Sequence, residues 1–309
     1  MTECTDSLLR RQNEPDMMAV LRAMSVCHSR AQRLDSLRMW ISVGVGVAGA
    51  VVAFTGVSGT AVTAVGALWA VANAVGLGSW SEGQIRRAAV LQEMFDVELF
   101  GLPWNTVAVG ERISAHEVSR LDRAYRGGEQ YLRDYYEVPP LPAPWDVLAC
   151  QQQNLGWGAR LRRRYAHAVL AGVIGWVLVG MTFGVLAGLT VSQLLLQWFV
   201  PSLGALLLGI EIYRGQRNVA ADRDRAMAIL YGHITSALRR REHLAPATEL
   251  MTVARQIQDV IFLSRRGQPR VPNWFFRRFH AADRLDFQST MDSLAELLTV
   301  PAPVTRLDG

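Results

Sequence analysis

An all-α membrane protein with two transmembrane helical hairpins is the fold class this sequence predicts, on three observations. Two long stretches carry no arginine and no acid: Met39 to Ser81, between Arg38 and Glu82, and Tyr165 to Ile210, between Arg164 and Glu211. Each is about twice the ~20 apolar residues that one helix needs to cross a bilayer. All 32 basic side chains are arginines, and none falls inside either stretch. No segment of the 309 residues shows the apolar/polar alternation of a half-buried strand.

The elements follow in order. Residues 1–38 form a polar N-terminal helical segment, in which Leu21, Met24, Cys27 and Ala31 recur at spacings of three and four. Its acids and six arginines are unlike a signal peptide. Residues 39–80 make the first hairpin: Met39–Val57 crosses, Ser58-Gly59-Thr60 turns, and Ala61–Trp80 returns. Residues 81–165 read as helices parted by breaks. One helix runs on through Gly83–Leu99 to Gly101-Leu102-Pro103. Another starts at the capping box Ser114–Glu117 and runs to about Tyr136, and Pro139, Pro140, Pro142 and Pro144 precede a helix from Trp145. Residues 166–212 make the second hairpin, turning at Leu189–Ser192. In residues 213–309, Leu250, Val253, Ile257, Val260 and Ile261 form one apolar stripe. Asn273 caps a last helix reaching Leu298.

Arginine placement gives the orientation. Six lie before the first hairpin, eleven between the two and fifteen after, with none in either far turn. The positive-inside rule puts both termini and the middle segment in the cytoplasm, whereas an arginine at mid-bilayer costs about 2.5–3.5 kcal/mol. Trp40, Trp80, Tyr165 and Tyr213 mark one shared interface. The net charge of +5 and pI near 9.5 are explained by cytoplasmic retention, so no DNA or RNA partner is implied. Cys4, Cys27 and Cys150 are scattered, with no Cys-x-x-Cys, which suits a reducing compartment.

Gly44-x-Gly46-x-x-Gly49 matches a dinucleotide-binding glycine pattern in letters only. No acid follows within residues 39–80, and the glycines sit inside a crossing. Small residues repeat every four positions: Gly180, Gly184 and Gly188; Ser42, Gly46 and Ala50; Gly66, Ala70 and Ala74. Such stripes let helices approach closely in lipid, within one bundle or between copies of a homo-oligomer. The crossings hold no ionised group, only Thr63, Asn73, Thr182, Gln193 and Gln197 among the more polar ones, which argues against a proton relay or selective filter. No catalytic residue emerges, because no nucleophile–base motif, Walker loop or His-Glu-x-x-His is present. Glu93, Asp96 and Glu98 are the nearest approach to a metal site, and three acids on one short helical stretch read more simply as structural; no metal is assigned. Asp222 and Asp224 alternate with Arg223 and Arg225 as a solvated, salt-bridged face. Arginine beside tryptophan, at Trp157 with Arg160 to Arg164 and at Trp274 with Arg277 and Arg278, has the chemistry to pair phosphate and stack on a base. Arg162 to Arg164 also serve as membrane-flanking anchors.

Three segments, QEMFDVELFGLPWN (Gln92–Asn105), CQQQNLGWGARLRRRY (Cys150–Tyr165) and VPNWFFRRF (Val271–Phe279), stand in this order around the two hairpins. Together they resemble the SMODS-associated four-transmembrane effectors of bacterial cyclic-oligonucleotide anti-phage signalling, over about residues 10–290. The resemblance implies an inner-membrane effector that opens a pore or disrupts the membrane when a cognate nucleotidyltransferase makes its second messenger, ending in abortive infection. A cyclic oligonucleotide or dinucleotide is then the activating ligand, and no other cofactor is implied. Trp104, Asn105, Asn154, Trp157, Arg160, Trp274 and Arg277 are the candidate contacts. The chain departs from the family pattern at Gln152, where an arginine is usual, and at Gly158, where an aspartate is usual. The alternative reading is a non-conducting membrane scaffold that recruits a signalling partner.

Overall fold

A computed structural model describes residues 5–55, 59–73, 78–239 and 247–267, together with 271–272, 274–276, 278–279, 288, 291–292 and 296. Its helices are α1 (Thr5–Arg11), α2 (Pro15–Thr55), α3 (Thr60–Ala72), α4 (Gly78–Phe100), α5 (Thr106–Val109), α6 (Ala115–Asp122), α7 (Trp145–Leu186), α8 (Val191–Leu194), α9 (Val200–Arg239) and α10 (Ala247–Arg266). No strand occurs among the described residues. Three helical runs are long and apolar enough to cross a membrane, Pro15–Thr55, Trp145–Leu186 and Val191–Ala237, while Thr60–Ala72 is apolar but shorter. The protein is an all-α membrane protein.

Helix α2 opens with Pro15, whose fixed φ and missing N–H suit a first turn. It continues for 41 residues, roughly 60 Å at 1.5 Å per residue. Its first half buries Met17, Leu21, Met24, Cys27 and Ala31. Its second half is inverted in composition: Ser42, Gly46, Gly49 and Ala50 face inward, while Val43, Val47, Val51 and Phe54 are exposed. That inversion is expected where the outer solvent is as apolar as leucine.

The two hairpins close on each other around Pro201. Proline removes a backbone donor, and the helix answers with a π turn over Leu195–Phe199, where Val200 N–H reaches back to Leu195 O. Thr63 Oγ1 on α3 donates to Leu196 O at 2.8 Å. A Cβ at Gly49 would stand 2.5 Å from Pro201 Cβ, and one at Gly66 2.6 Å from Pro201 Cα, so only glycine admits the wedge from either side. The second hairpin turns on Gly188 at φ 63. Leu189 N donates to Gly184 O and Gly188 N to Val185 O, the two bonds of a Schellman cap. Thr190 and Gln193 then form a capping box, so the returning helix starts at Val191.

Outside the membrane, α2, α4, α7, α9 and α10 share one apolar core that includes Met24, Leu91, Phe95, Leu148, Leu155, Leu230 and Ile257. α4 stops at Phe100, where Gly101 (φ 66) lets Leu102 N bond Val97 O. The helix expected from Ser114 to about Tyr136 is corrected: α6 keeps its Ser114 cap but ends at Asp122. Gly127 and Gly128 disfavour continuation, Arg126 Nη1 donates to Arg123 O and Tyr125 O, and only a 3-10 turn forms at Glu129–Tyr131.

Interface residues also differ from expectation. Trp40 and Trp80 are exposed, but Tyr165 is buried against Phe275, with ring centroids 5.2 Å apart. Arg162 is buried and donates to Gln216 Oε1 at 2.5 Å rather than reaching headgroups. Arg223 leaves the solvated face and turns inward to Ser264 Oγ (3.0 Å) and Asn154 O (2.9 Å). Ser58, the junction at 74–77 that includes Ala74, and Asn273, Cys4 and Arg277 lie outside the described residues; of the last helix expected to reach Leu298, the described residues 274–276, 278–279, 288, 291–292 and 296 are helical.

Candidate functional site

The extramembrane core encloses a chain of charged and polar groups. Glu93 and Asp96 stand one turn apart on one face of α4, and both are fully buried. Helix α10 faces them. Arg255 Nη2 donates to Glu93 Oε1 and to Asp259 Oδ1, each at 2.8 Å, and its Nη1 donates to Pro103 O at 3.0 Å. Gln258 Nε2 bridges Glu93 Oε2 (2.8 Å) and Asp96 Oδ2 (2.9 Å). Arg265 Nη1 donates to Asp96 Oδ2 at 2.6 Å, and the Tyr136 hydroxyl donates to Asp96 Oδ1 at 2.8 Å. Gln151 on α7 donates to Ala254 O and Gln258 Oε1.

Burial and neighbouring charge shift three of these groups. Burial raises the Glu93 carboxyl, the charge of Asp96 adds to this, and Arg255 and Gln258 oppose it. Burial, with Asp96, pushes Tyr136 well above the usual phenol value. Burial works against charge on Arg265, yet the Asp96 carboxylate opposite raises it overall. Two buried carboxylates, Glu93 and Asp96, and the partly exposed Asp259 thus meet two guanidiniums. The pairing is not saturated: Arg255 Nε, Arg265 Nη2, Gln151 Oε1 and Gln152 Oε1 are buried without a hydrogen-bond partner among the described residues. Groups held this way suit positioning and recognition; none is poised as a nucleophile.

The expected site residues fall into two places. Asn105 joins the chain: its Nδ2 donates to both Asp259 oxygens at 3.1 and 3.2 Å, and its Oδ1 accepts from Ala108 N. Trp104 beside it donates to Gly110 O at 2.9 Å and carries Arg112 over its ring at 4.8 Å. Asn154 reaches the same chain through the Tyr136 hydroxyl at 3.5 Å. The others gather nearer the membrane. Trp157 packs on Phe276 with centroids 6.4 Å apart, Arg160 is exposed on α7, and Trp274 is 69% exposed, edge-on to Phe275. Phe275 belongs to a small cluster with Leu161, Tyr165 and Val271, so the third segment lies along the base of α7. The first two segments meet in the buried chain. Glu98 is exposed and lies 3.9 Å from Arg112, away from Glu93 and Asp96. Among the described residues no three His, Cys, Asp or Glu groups come together as a metal set.

The packing residues are also placed. Gly180 lies against the Trp198 ring, Gly184 against Leu194, and Gly188 is in the turn. Ser42 Oγ accepts from Trp69 Nε1 at 2.8 Å, Gly46 faces Ser202, and Ala50 is buried. The bundle centre is filled. Trp176 stacks on Trp198 with centroids 4.9 Å apart and donates to Ser202 Oγ at 2.9 Å, while Phe183 closes on Trp198 from beyond.

Arg255, Gln258, Arg265 and Tyr136 escaped sequence reasoning. A signal existed: Leu250, Ala254, Gln258, Ile261 and Arg265 share one helical face, so two polar groups interrupt a buried stripe.

The fold and site therefore define a helical membrane protein whose extramembrane helices bury a chain of paired charged and polar groups. It belongs to the SMODS-associating 4TM effector domain family, whose model matches residues 6–294. The chain is similar to a probable CBASS effector molecule of Bacillus cereus (strain VD146), 24% identical over 212 residues, covering 66% of this chain and 72% of that relative. No solved structure matches it. Membership makes it a membrane effector and supports a role in bacterial anti-phage signalling defence.

Proposed function

We propose that the chain is a ligand-gated, assembled breach of the bacterial inner membrane. Both termini face the cytoplasm, four helices cross, and several copies line the opening. The observation that carries this reading is the filled bundle: Trp176, Trp198 and Phe183 occupy the centre of one copy, so a water path needs more than one. A cyclic oligonucleotide or dinucleotide made by a nucleotidyltransferase favours the assembled state, which must bind it better than the resting state for any shift to occur. The buried chain from Asn105 to Asn154 supports sensing at the junction of α4, α7 and α10, because its donors on Arg255 Nε and Arg265 Nη2, unpartnered among the described residues, leave binding capacity for phosphate. Loss of the host membrane potential then produces abortive infection.

The same filled bundle also favours a second reading, a non-conducting scaffold that recruits a partner. Purified protein in dye-loaded liposomes, with and without cyclic nucleotides, separates the two. Ligand-dependent release supports the breach; nucleotide binding without release supports the scaffold; neither binding nor release removes the direct-sensor version of both.

A further inference from the structure

One outward face of α2 is not used by the buried chain or by the bundle. Ser29, Gln32, Arg33, Ser36, Leu37 and Trp40 lie together on it as one open surface patch. Their spacing, at steps of three and four, keeps them on one side of the helix over roughly 16 Å of its length at 1.5 Å per residue. The face is graded. Its first turns offer two hydroxyls, an amide and a guanidinium, and its last turn offers Leu37 at 58% and Trp40 at 74% exposure. The uncharged stretch starts at Met39, so the gradient runs in the sense of a bilayer leaflet, from water through the headgroups to the acyl chains. From Arg33 to Trp40 is roughly 10 Å along the helix, enough to cross the headgroup layer of about 5–8 Å and enter the ~30 Å hydrocarbon core.

Charge singles out the occupant. The nearest carboxylate on this helix, Asp35, is turned to Arg38 at 3.4 Å, and Arg38 is itself buried and donates to Asn73 Oδ1 at 2.8 Å. That neutral internal pair leaves the Arg33 charge on the outer face without a counter-ion on α2. Arginine pairs a phosphate diester with two parallel donors, Ser29, Gln32 and Ser36 can satisfy headgroup hydroxyls, and Leu37 and Trp40 cover the glycerol and upper acyl region. We propose that this face is a binding site for the headgroup of an anionic phospholipid with a phosphodiester and free hydroxyls. It is separate from the nucleotide-responsive site and independent of whether the chain conducts.

The test is native mass spectrometry of the intact chain released from detergent, titrated with palmitoyl-oleoyl phosphatidylglycerol, with the phosphatidylcholine of the same acyl chains, and with inorganic phosphate. Wild type is expected to retain the anionic lipid preferentially. Arg33→Gln should cut that preference about fivefold, the ~1 kcal/mol that one arginine contributes near an anionic surface. Arg33→Lys should keep most of it, and Arg217→Gln, on α9, should keep all of it. Inorganic phosphate should not compete. An undiminished preference in Arg33→Gln overturns the assignment, as does an equal loss in Arg217→Gln. Competition by inorganic phosphate assigns the face to a free anion and overturns it too. A change of oligomer mass in Arg33→Gln with lipid retention unchanged gives the face to a second copy and has the same effect.

Discussion

Ion pairs in this protein fall into two energetic classes, and single residues separate them. Asp96 is fully buried and accepts from Arg265, Gln258 and Tyr136. Removing it leaves a buried guanidinium uncompensated, a loss of about 3–5 kcal/mol. Asp224 pairs with Arg163 on the surface, where both side chains are about half exposed, and such pairs contribute under ~1 kcal/mol. Asp96→Ala is therefore expected to lower the thermal midpoint of the helical signal by many degrees, and Asp224→Ala to leave it almost unmoved. Equal effects in circular dichroism melts would refute the distinction. Gly158 shows what a single residue could and could not announce. A Cβ there would stand 1.7 Å from Arg223 Nη1. The space a side chain at Gly158 would take is filled by Arg223 on its way to Asn154 O and Ser264. The sequence displays the glycine, but the arginine that occupies its space comes from another helix 65 positions away in number.

At the scale of elements, the docking of α10 on α4 carries a pH dependence. The Glu93 carboxyl is raised in the folded chain, first by burial and then by Asp96, from an ordinary value of 4.5. The folded state therefore holds its proton where the unfolded chain has released it. Stability from this group falls as pH rises from about that ordinary value through the raised one. Glu93→Gln removes the slope: its melting midpoint should gain on wild type as pH climbs from acid to neutral, and a constant difference across that range would contradict the burial argument. Between the hairpins, Gly66→Leu must displace the Pro201 backbone and should cost about 1–3 kcal/mol. Gly172→Leu, on α7 with nothing within 4 Å of a Cβ, should not destabilise the single copy. Detergent melts of the two variants check this. The long helices were legible because hydropathy over tens of residues reports them. The capping box at Thr190 and Gln193 was equally present in the letters, yet the apolar run masked it. The shortened α6 was not legible, because its end depends on where Gly127, Gly128 and the Arg126 guanidinium settle against nearby carbonyls.

The whole molecule joins two solvents with opposite packing rules. Arginine-free stretches announced the apolar half, and the order of three short segments announced the family. The polar half was harder: Gln92–Asn105 and Cys150–Tyr165 converge only after α4, α7 and α10 pack, and α10 lies outside all three segments. Because Trp198 is 2% exposed at the bundle centre, Trp198→Phe should leave ligand-free dye release at background if water passes between copies. Constitutive release would put the path inside one copy. The unbroken course of α2 and α7 has a mechanical meaning. Neither has a joint where water gives way to lipid, so each is a stiff lever with its fulcrum near the boundary. A rod of roughly 60 Å that pivots at its middle by ~10° swings its far tip by ~5 Å, about one helical pitch. A small swivel among the arginines and carboxylates at one end is thereby geared, without any loop to absorb it, into a full notch of displacement at the other.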